Sequence, residues 1–92
     1  IWDIATGNEL HTLAGHQDAI SCLMVKDGIL FSGSYDSRIK IWDIESGTEL
    51  KTLSNESPVY SLTVKDEMLF SSSRDSKIKI WNFNPVNNHR NG

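Results

Sequence analysis

Residues 29–44, Ile-Leu-Phe-Ser-Gly-Ser-Tyr-Asp-Ser-Arg-Ile-Lys-Ile-Trp-Asp-Ile, return at 68–83 as Met-Leu-Phe-Ser-Ser-Ser-Arg-Asp-Ser-Lys-Ile-Lys-Ile-Trp-Asn-Phe, with ten of sixteen aligned positions identical. A third, partial copy opens the chain, Ile1-Trp2-Asp3-Ile4 matching Ile41-Trp42-Asp43-Ile44. The three tryptophans stand 40 and 39 residues apart. No other feature constrains the fold as tightly. A unit repeating at that period cannot bury its apolar faces alone and must stack on neighbours. The 92 residues hold barely two such units and start inside one. They read as an excerpt of a longer polypeptide, or as a unit that must oligomerise.

Within each unit, apolar patches of four to seven residues are bounded by Gly, Asp, Asn or Ser. That is strand spacing, with no helical stripe. Ile1–Ile4 ends a strand, and Ala5-Thr6-Gly7-Asn8 turns the chain, a device repeated at Ile44-Glu45-Ser46-Gly47. Glu9–Leu13 and Glu49–Leu53 are the most polar strands and suit the outside of a sheet. Ile20–Val25 and Val59–Val64 are the most apolar, which predicts cover on both faces. Lys26-Asp27-Gly28 makes a tight hairpin, Asp-Gly being a strong turn signal. The second copy carries Asp66-Glu67 there, which predicts a different or more strained turn. Leu30–Ser34 and Leu69–Ser73 follow, then turns at Tyr35-Asp36-Ser37 and Arg74-Asp75-Ser76. Arg38–Asp43 and Lys77–Asn82 close the units, their Lys and Arg alternating with Ile as in a strand near the periphery.

Each unit is thus four antiparallel strands graded from apolar to polar, the order in which they would radiate from an axis. The expected fold is all-β: two four-stranded antiparallel blades of a β-propeller, the ring incomplete in one chain because propellers take about 4–8 blades. The expected segments are 1–4 (end of a preceding repeat), 5–44, 45–83, and an Asn-rich tail, 84–92, expected to be disordered.

The formal net charge of −3 comes without blocks of like charge. It gives no basis for a nucleic-acid or membrane-surface partner. No run approaches the ~18 apolar residues of a membrane span. The single Cys22 excludes an intrachain disulfide and suits a reducing compartment, hence an intracellular, cytoplasmic or nuclear protein. One Cys and three scattered histidines (His11, His16, His89) lack metal-ligand spacing. Gly-Ser-Tyr-Asp-Ser-Arg lacks the Lys-Ser/Thr of a phosphate-binding loop. No metal or cofactor is expected. Arg38, Lys40, Lys77 and Lys79 read as a solvated strand face with their stems laid along it.

Gly15-His16, Trp42-Asp43 and the Ser-Gly-Ser-x-Asp of Ser32–Asp36 resemble the WD-repeat (WD40) β-propeller family, over about residues 1–83. The resemblance implies that the repeat is offset from the blade, an outer strand preceding the three inner strands of the next blade. It also implies a structural tetrad: Asp36 fixes His16, His16 meets the hydroxyl of Ser32 (favoured over Ser34), and Ser32 accepts the indole N–H of Trp42. His, Ser and Asp are also the ingredients of a hydrolase triad. The chain has no Gly-x-Ser-x-Gly elbow or Gly-rich oxyanion loop, and a buried Trp needs a partner for its N–H. The structural role is therefore preferred. Ser71, Asp75 and Trp81 are the corresponding residues of the second unit. Its loop Ser54–Pro58 is one residue shorter than Ala14–Ala19 and holds no His. Asn55 or Glu56 would have to substitute, or Trp81 leans on Ser71 and Asp75 alone. The second blade should be the less tightly held.

The resemblance further implies peptide binding on the face formed by the loops into the innermost strand and the turn before the tetrad Asp. The matching positions are Ala19, Ser21 and Tyr35, and Pro58, Tyr60 and Arg74. Both tyrosines of the chain fall there, and Tyr and Arg are enriched at interface hot spots. The expected function is a non-enzymatic protein-interaction scaffold. The alternative is a substrate-targeting segment of a multidomain enzyme, a kinase or ubiquitin-ligase subunit, because Val-Lys-Asp-Gly-x-Leu-Phe-Ser-Gly-Ser-Tyr-Asp is similar to repeats of such proteins. Partners would be proteins or peptides. Further repeats, or copies exchanging the Glu9–Leu13 strand, would close the ring.

Overall fold

The computed structural model describes residues 1–83; the tail expected at 84–92 lies outside them. Among the described residues seven strands form: β1 (Ile20–Lys26), β2 (Ile29–Ser34), β3 (Arg38–Asp43), β4 (Glu49–Ser54), β5 (Val59–Lys65), β6 (Met68–Ser73) and β7 (Ile78–Asn82). They build two antiparallel sheets, β1-β2-β3-β4 and β5-β6-β7. The fold is all-β, and strand order follows chain order as the polarity gradient predicts.

Local chemistry sets each connection. Asp27 and Gly28 both take the left-handed region, φ 52° and 77°, as a two-residue hairpin matching the twist of its strands requires. The second hairpin keeps the two-residue length but differs in turn type, as its residues suggest: Asp66 takes a positive φ and Glu67 does not. Lys65 pairs with Met68 as Lys26 pairs with Ile29, and Asp66 takes φ 54°, with Glu67 in the place of Gly28. Between β2 and β3 the chain turns through Ser37 at φ 71°, and between β6 and β7 through Ser76 at φ 68°. Asp36 and Asp75 brace these turns, each Oδ1 accepting the N–H two residues on, from Arg38 at 2.8 Å and Lys77 at 3.1 Å. Short polar side chains that bond their own backbone favour such turns.

The sheets pack face to face. Phe31, Ile39 and Ile41 of the first are buried with Val59, Leu62 and Leu69 of the second, and Phe83 meets Phe31 edge-on with ring centroids 5.0 Å apart. Gly33 sits at the closest approach: a Cβ there would lie 2.6 Å from both Cys22 Sγ and Val59 Cγ1. Two polar links cross the seam. The Ser21 hydroxyl donates to Val59 O at 2.5 Å, and Lys26 Nζ donates to Asp66 O.

Three sequence expectations change. Glu9–Leu13 does not form a regular strand: its pairing is limited to the Trp2–Glu9 bridge and the bonds to Ile1, among them Leu10 N–H to Ile1 O at 2.8 Å. The innermost strand β1 is covered on one face only, Leu23 being 60% exposed on the other, because no sheet among the described residues stacks there. Strand β3 lies next to the outer strand and is paired on both sides, yet Ile39, Lys40, Ile41 and Trp42 are all buried rather than half solvated. The second sheet shows three strands among the described residues, as the offset of the repeat from the blade implies.

Candidate functional site

The alternation of β2 and β3 turns Ser32, Lys40 and Trp42 to the side of the first sheet away from the second. There Trp42 Nε1 donates to Ser32 Oγ at 2.9 Å. Ser32 Oγ lies 2.6 Å from His16 Nε2, and His16 Nδ1 lies 2.9 Å from Asp36 Oδ2. A carboxylate can only accept, so Nδ1 carries the proton and Nε2 accepts from the serine. Burial works against the Asp36 charge. The Gln17 N–H, the His16 ring and the Arg38 N–H outweigh it and hold the carboxyl below its usual range. Ser32 is 2% exposed and its oxygen is shared between the indole and the imidazole.

The second unit reaches the same end by another side chain. Trp81 Nε1 donates to Ser71 Oγ at 3.1 Å, and Ser71 Oγ donates to Asn55 Oδ1 at 3.1 Å. Asn55 is fully buried, and all its polar atoms are engaged. Nδ2 donates to Ser57 O at 2.9 Å and Ser73 Oγ at 2.6 Å. The backbone N–H reaches Ser37 O at 2.8 Å, and the carbonyl accepts from Lys79 Nζ at 2.8 Å. Of the open alternatives, Asn55 takes the histidine's place. Asp75 stays exposed with its carboxylate on the turn, and Glu56 points to Lys79 at 3.4 Å.

Lys40 departs from the solvated stripe expected of it. It is 8% exposed, its ammonium held by Glu49 Oε1 at 2.9 Å and Thr52 Oγ1 at 3.0 Å. The Thr52 hydroxyl and the Lys40 ammonium in turn hold the Glu49 carboxyl below its usual range.

At the end of the sheets where β1 and β5 begin, Asp18, Tyr35, Pro58, Tyr60 and Arg74 line an open cleft of about 300 Å³. Both units contribute to it. The Tyr35 and Tyr60 rings meet edge-to-face, centroids 6.2 Å apart and planes at 83°, an arrangement aromatic quadrupoles favour. Matching backbone bonds hold the rim: Tyr35 N–H to Ala19 O and Arg74 N–H to Pro58 O, each 3.0 Å. Of the six positions expected on this face, Tyr35, Pro58, Tyr60 and Arg74 come together. Ala19 is exposed beside them and contributes its carbonyl to the turn. Ser21 does not line the cleft, its hydroxyl being committed to Gly33 O and Val59 O. Asp18 was not singled out by residue type. Its position, an acid two residues before the innermost strand, was the available signal. Among the described residues no cluster of His, Cys, Asp and Glu could hold a metal.

Comparison with known proteins agrees with this geometry. The family model described as "WD domain, G-beta repeat" matches residues 7–43 and 47–82. Over 39 residues the chain is 54% identical to a "Probable E3 ubiquitin ligase complex SCF subunit sconB" of Penicillium rubens, and 59% identical to the protein of that name in Aspergillus clavatus. Each alignment covers 42% of this chain and 6% of the relative, so the chain spans only a small part of those proteins. Among solved structures, the computationally designed Ika4 protein superposes with a TM-score of 0.83 at 39% identity, over 90% of this chain and 52% of that one. U3-55K superposes with a TM-score of 0.82 at 27% identity, over 92% of this chain and 27% of that one. Two matched repeats, a propeller-like stacking of sheets and a tryptophan anchored through serine in each unit lead to one assignment: the chain belongs to the WD-repeat (WD40) family of β-propellers.

Proposed function

We propose that this chain is a non-catalytic protein-interaction module whose partner peptide lies in the cleft of Asp18, Tyr35, Pro58, Tyr60 and Arg74. The observation carrying the reading is the convergence of two tyrosines, a proline and an arginine from two successive repeats on one concavity. Rigid aromatic anchors and an arginine give contact area at small entropic cost, the composition of interface hot spots. Asp18 and Arg74 offer opposite charges within the same cleft, which can fix the direction of a bound segment. The enclosure of Ser32 between Trp42 and His16 supports a binding rather than a hydrolytic role. The units in this reading are residues 5–44 and 45–83, and a reducing, intracellular setting suits the free Cys22.

A second reading rests on the sconB relatives: the segment selects substrates for a ubiquitin-ligase complex, and any chemistry resides elsewhere. Both readings use the same cleft. To test it, a peptide selected from a displayed library on the chain is titrated while backbone amide resonances are followed. Shifts should concentrate at Asp18, Tyr35, Tyr60 and Arg74. Shifts confined to the opposite hairpins, at residues 27–28 and 66–67, would contradict the reading.

A further inference from the structure

The two units repeat their strands but differ in the side chains they bring to the cleft. Tyr35 stands where the second unit has Arg74, and Tyr60 where the first has Ser21. Backbone geometry aims Tyr60. Pairing of β5 with β6 runs Val59 to Ser73 and then Ser61 to Ser72, so Tyr60 is the extra residue of a β-bulge, a device that re-aims a side chain. Ser21 occupies the same bulge in β1, but its hydroxyl turns to Val59 O. Tyr60 meets Tyr35 at 83° instead, with both rings about half exposed. Two rings at right angles form a notch, with Pro58, Asp18 and Arg74 around it.

Hydrogen-bonding capacity in the notch is lopsided. Backbone donors of the rim are spent: Gln17 N–H goes to Asp36 Oδ2 at 2.9 Å and Ala19 N–H to Asp18 Oδ1 at 2.7 Å. The N–H groups of Tyr35 and Arg74 go to Ala19 O and Pro58 O, and a proline has none to give. A peptide strand laid along this rim finds no ladder to continue, which removes strand addition as the mode of binding. Side-chain donors remain. Among the described residues, neither tyrosine hydroxyl and no N–H of the Arg74 guanidinium has a hydrogen-bond partner. Asp18 is the single carboxylate lining the cleft, and its Oδ2 is left to accept.

Such a site suits a segment with flat apolar rings, accessible carbonyls and few N–H groups to satisfy. Proline-containing peptides have all three: their left-handed extended form is preformed, leaves its carbonyls solvated and lacks an N–H at each proline. The CH groups of a proline ring rest on the negative face of an aromatic ring, and aromatic-lined grooves take such segments at low entropic cost. We infer that the partner of this cleft is a proline-containing peptide in that left-handed form. Its prolines lie across Tyr35 and Tyr60, its carbonyls accept from the two phenols and Arg74, and a Lys or Arg at one end pairs with Asp18. This rests on the reading of the cleft as the partner site and names the class of segment it takes. A phosphorylated segment is the poorer fit, because Arg74 is the single cation lining the cleft and Asp18 opposes it.

The test is a titration of the full chain with acetyl-Arg-Ala-Pro-Pro-Ala-Pro-Pro-Ala-amide, followed through backbone amide resonances. Saturable shifts are expected at Asp18, Tyr35, Tyr60 and Arg74. The same peptide with alanine for every proline should bind at least about tenfold more weakly, having lost its preformed shape. Replacing the peptide's arginine by alanine should weaken binding to the parent chain severalfold and make no difference to Asp18→Asn. The double variant Tyr35→Phe/Tyr60→Phe keeps both rings, so its amide spectrum should stay folded while its affinity falls. Equal binding of the proline and alanine peptides overturns the inference, and that comparison needs no variant of the protein. Tighter binding of a proline-free phosphoserine peptide overturns it too. If the proline peptide gives no shifts while a proline-free peptide selected from a displayed library shifts the same four amides, the proline class falls and the cleft stands as the partner site. If neither peptide shifts them, both readings fall.

Discussion

Ser71 donates its hydroxyl to Asn55 Oδ1 at 3.1 Å, in the place where Ser32, one repeat earlier, meets His16 Nε2 at 2.6 Å. Trp42 and Trp81 are thus each held by the equivalent serine of their unit, but the two serines have different second partners. In the first unit the chain of bonds runs on to Asp36; in the second it turns back into Ser73 and Ser57. Asn55→Ala strips partners from Ser71 and Ser73 together, both of them buried. Its expected cost in urea melts is about 1–3 kcal/mol, the cost of orphaning buried polar groups. Asp75→Ala removes an exposed carboxylate and should cost less, within about 0.5–1 kcal/mol.

The burial of the tryptophans ranks them. Trp42 is 4% exposed, between β2 and β4, whereas Trp81 is half-buried on β7, whose outer side pairs with no strand among the described residues. Trp42→Ala should cost about 3–5 kcal/mol, as truncation of a buried Trp does. Trp81→Ala should cost less, read from the difference in denaturation midpoints at constant slope.

Asp36 sets an acid limit on the first unit. Because its carboxyl is held below the usual range in the folded chain, the unfolded chain binds its proton first as pH falls. The stabilisation is therefore fully present above the unfolded value near 4 and is lost as pH drops through the lower folded value. Asp36→Asn should flatten that stretch of a stability-versus-pH curve while lowering stability at pH 7. An unchanged acid slope in the variant would remove Asp36 from the account.

Gly33 is fixed by the neighbouring sheet rather than by backbone conformation. A methyl group there would stand 2.6 Å from Cys22 Sγ and Val59 Cγ1, so the sheets must part. Gly33→Ala should cost about 1–3 kcal/mol, the usual range for overpacking. Val59→Ala should relieve part of it, giving a double variant less destabilised than the sum of the singles.

Much of this was legible in the sequence because period and alternation carry it. The repeat of residues 29–44 at 68–83 gives the strands and their order, and the resemblance to WD repeats implies the serine–tryptophan pairs. What stayed hidden depends on neighbours. Glu9–Leu13 has the pattern of Glu49–Leu53, yet its pairing is limited to the Trp2–Glu9 bridge and Ile1. Lys40 reads as a surface lysine until Glu49 and Thr52 are found across from it on β4. Asn55 was one of two substitutes for a missing histidine, beside Glu56, since no residue type announces which side chain will fill a shortened loop. The cleft was half visible: its tyrosines and Arg74 stand out by type, whereas Asp18 joins only through the folding of its loop.

The most direct measurement is the affinity of a peptide selected on the folded chain, compared with its affinity for the double variant Tyr35→Ala/Arg74→Ala. Two hot-spot losses of about 2 kcal/mol or more each predict a fall of at least about a hundredfold at 1.4 kcal/mol per decade. Asp27→Asn, in the hairpin at the far end of β1 and β2, should leave the affinity unchanged. Equal binding by the parent chain and a folded double variant would contradict the assignment of the cleft as the partner site.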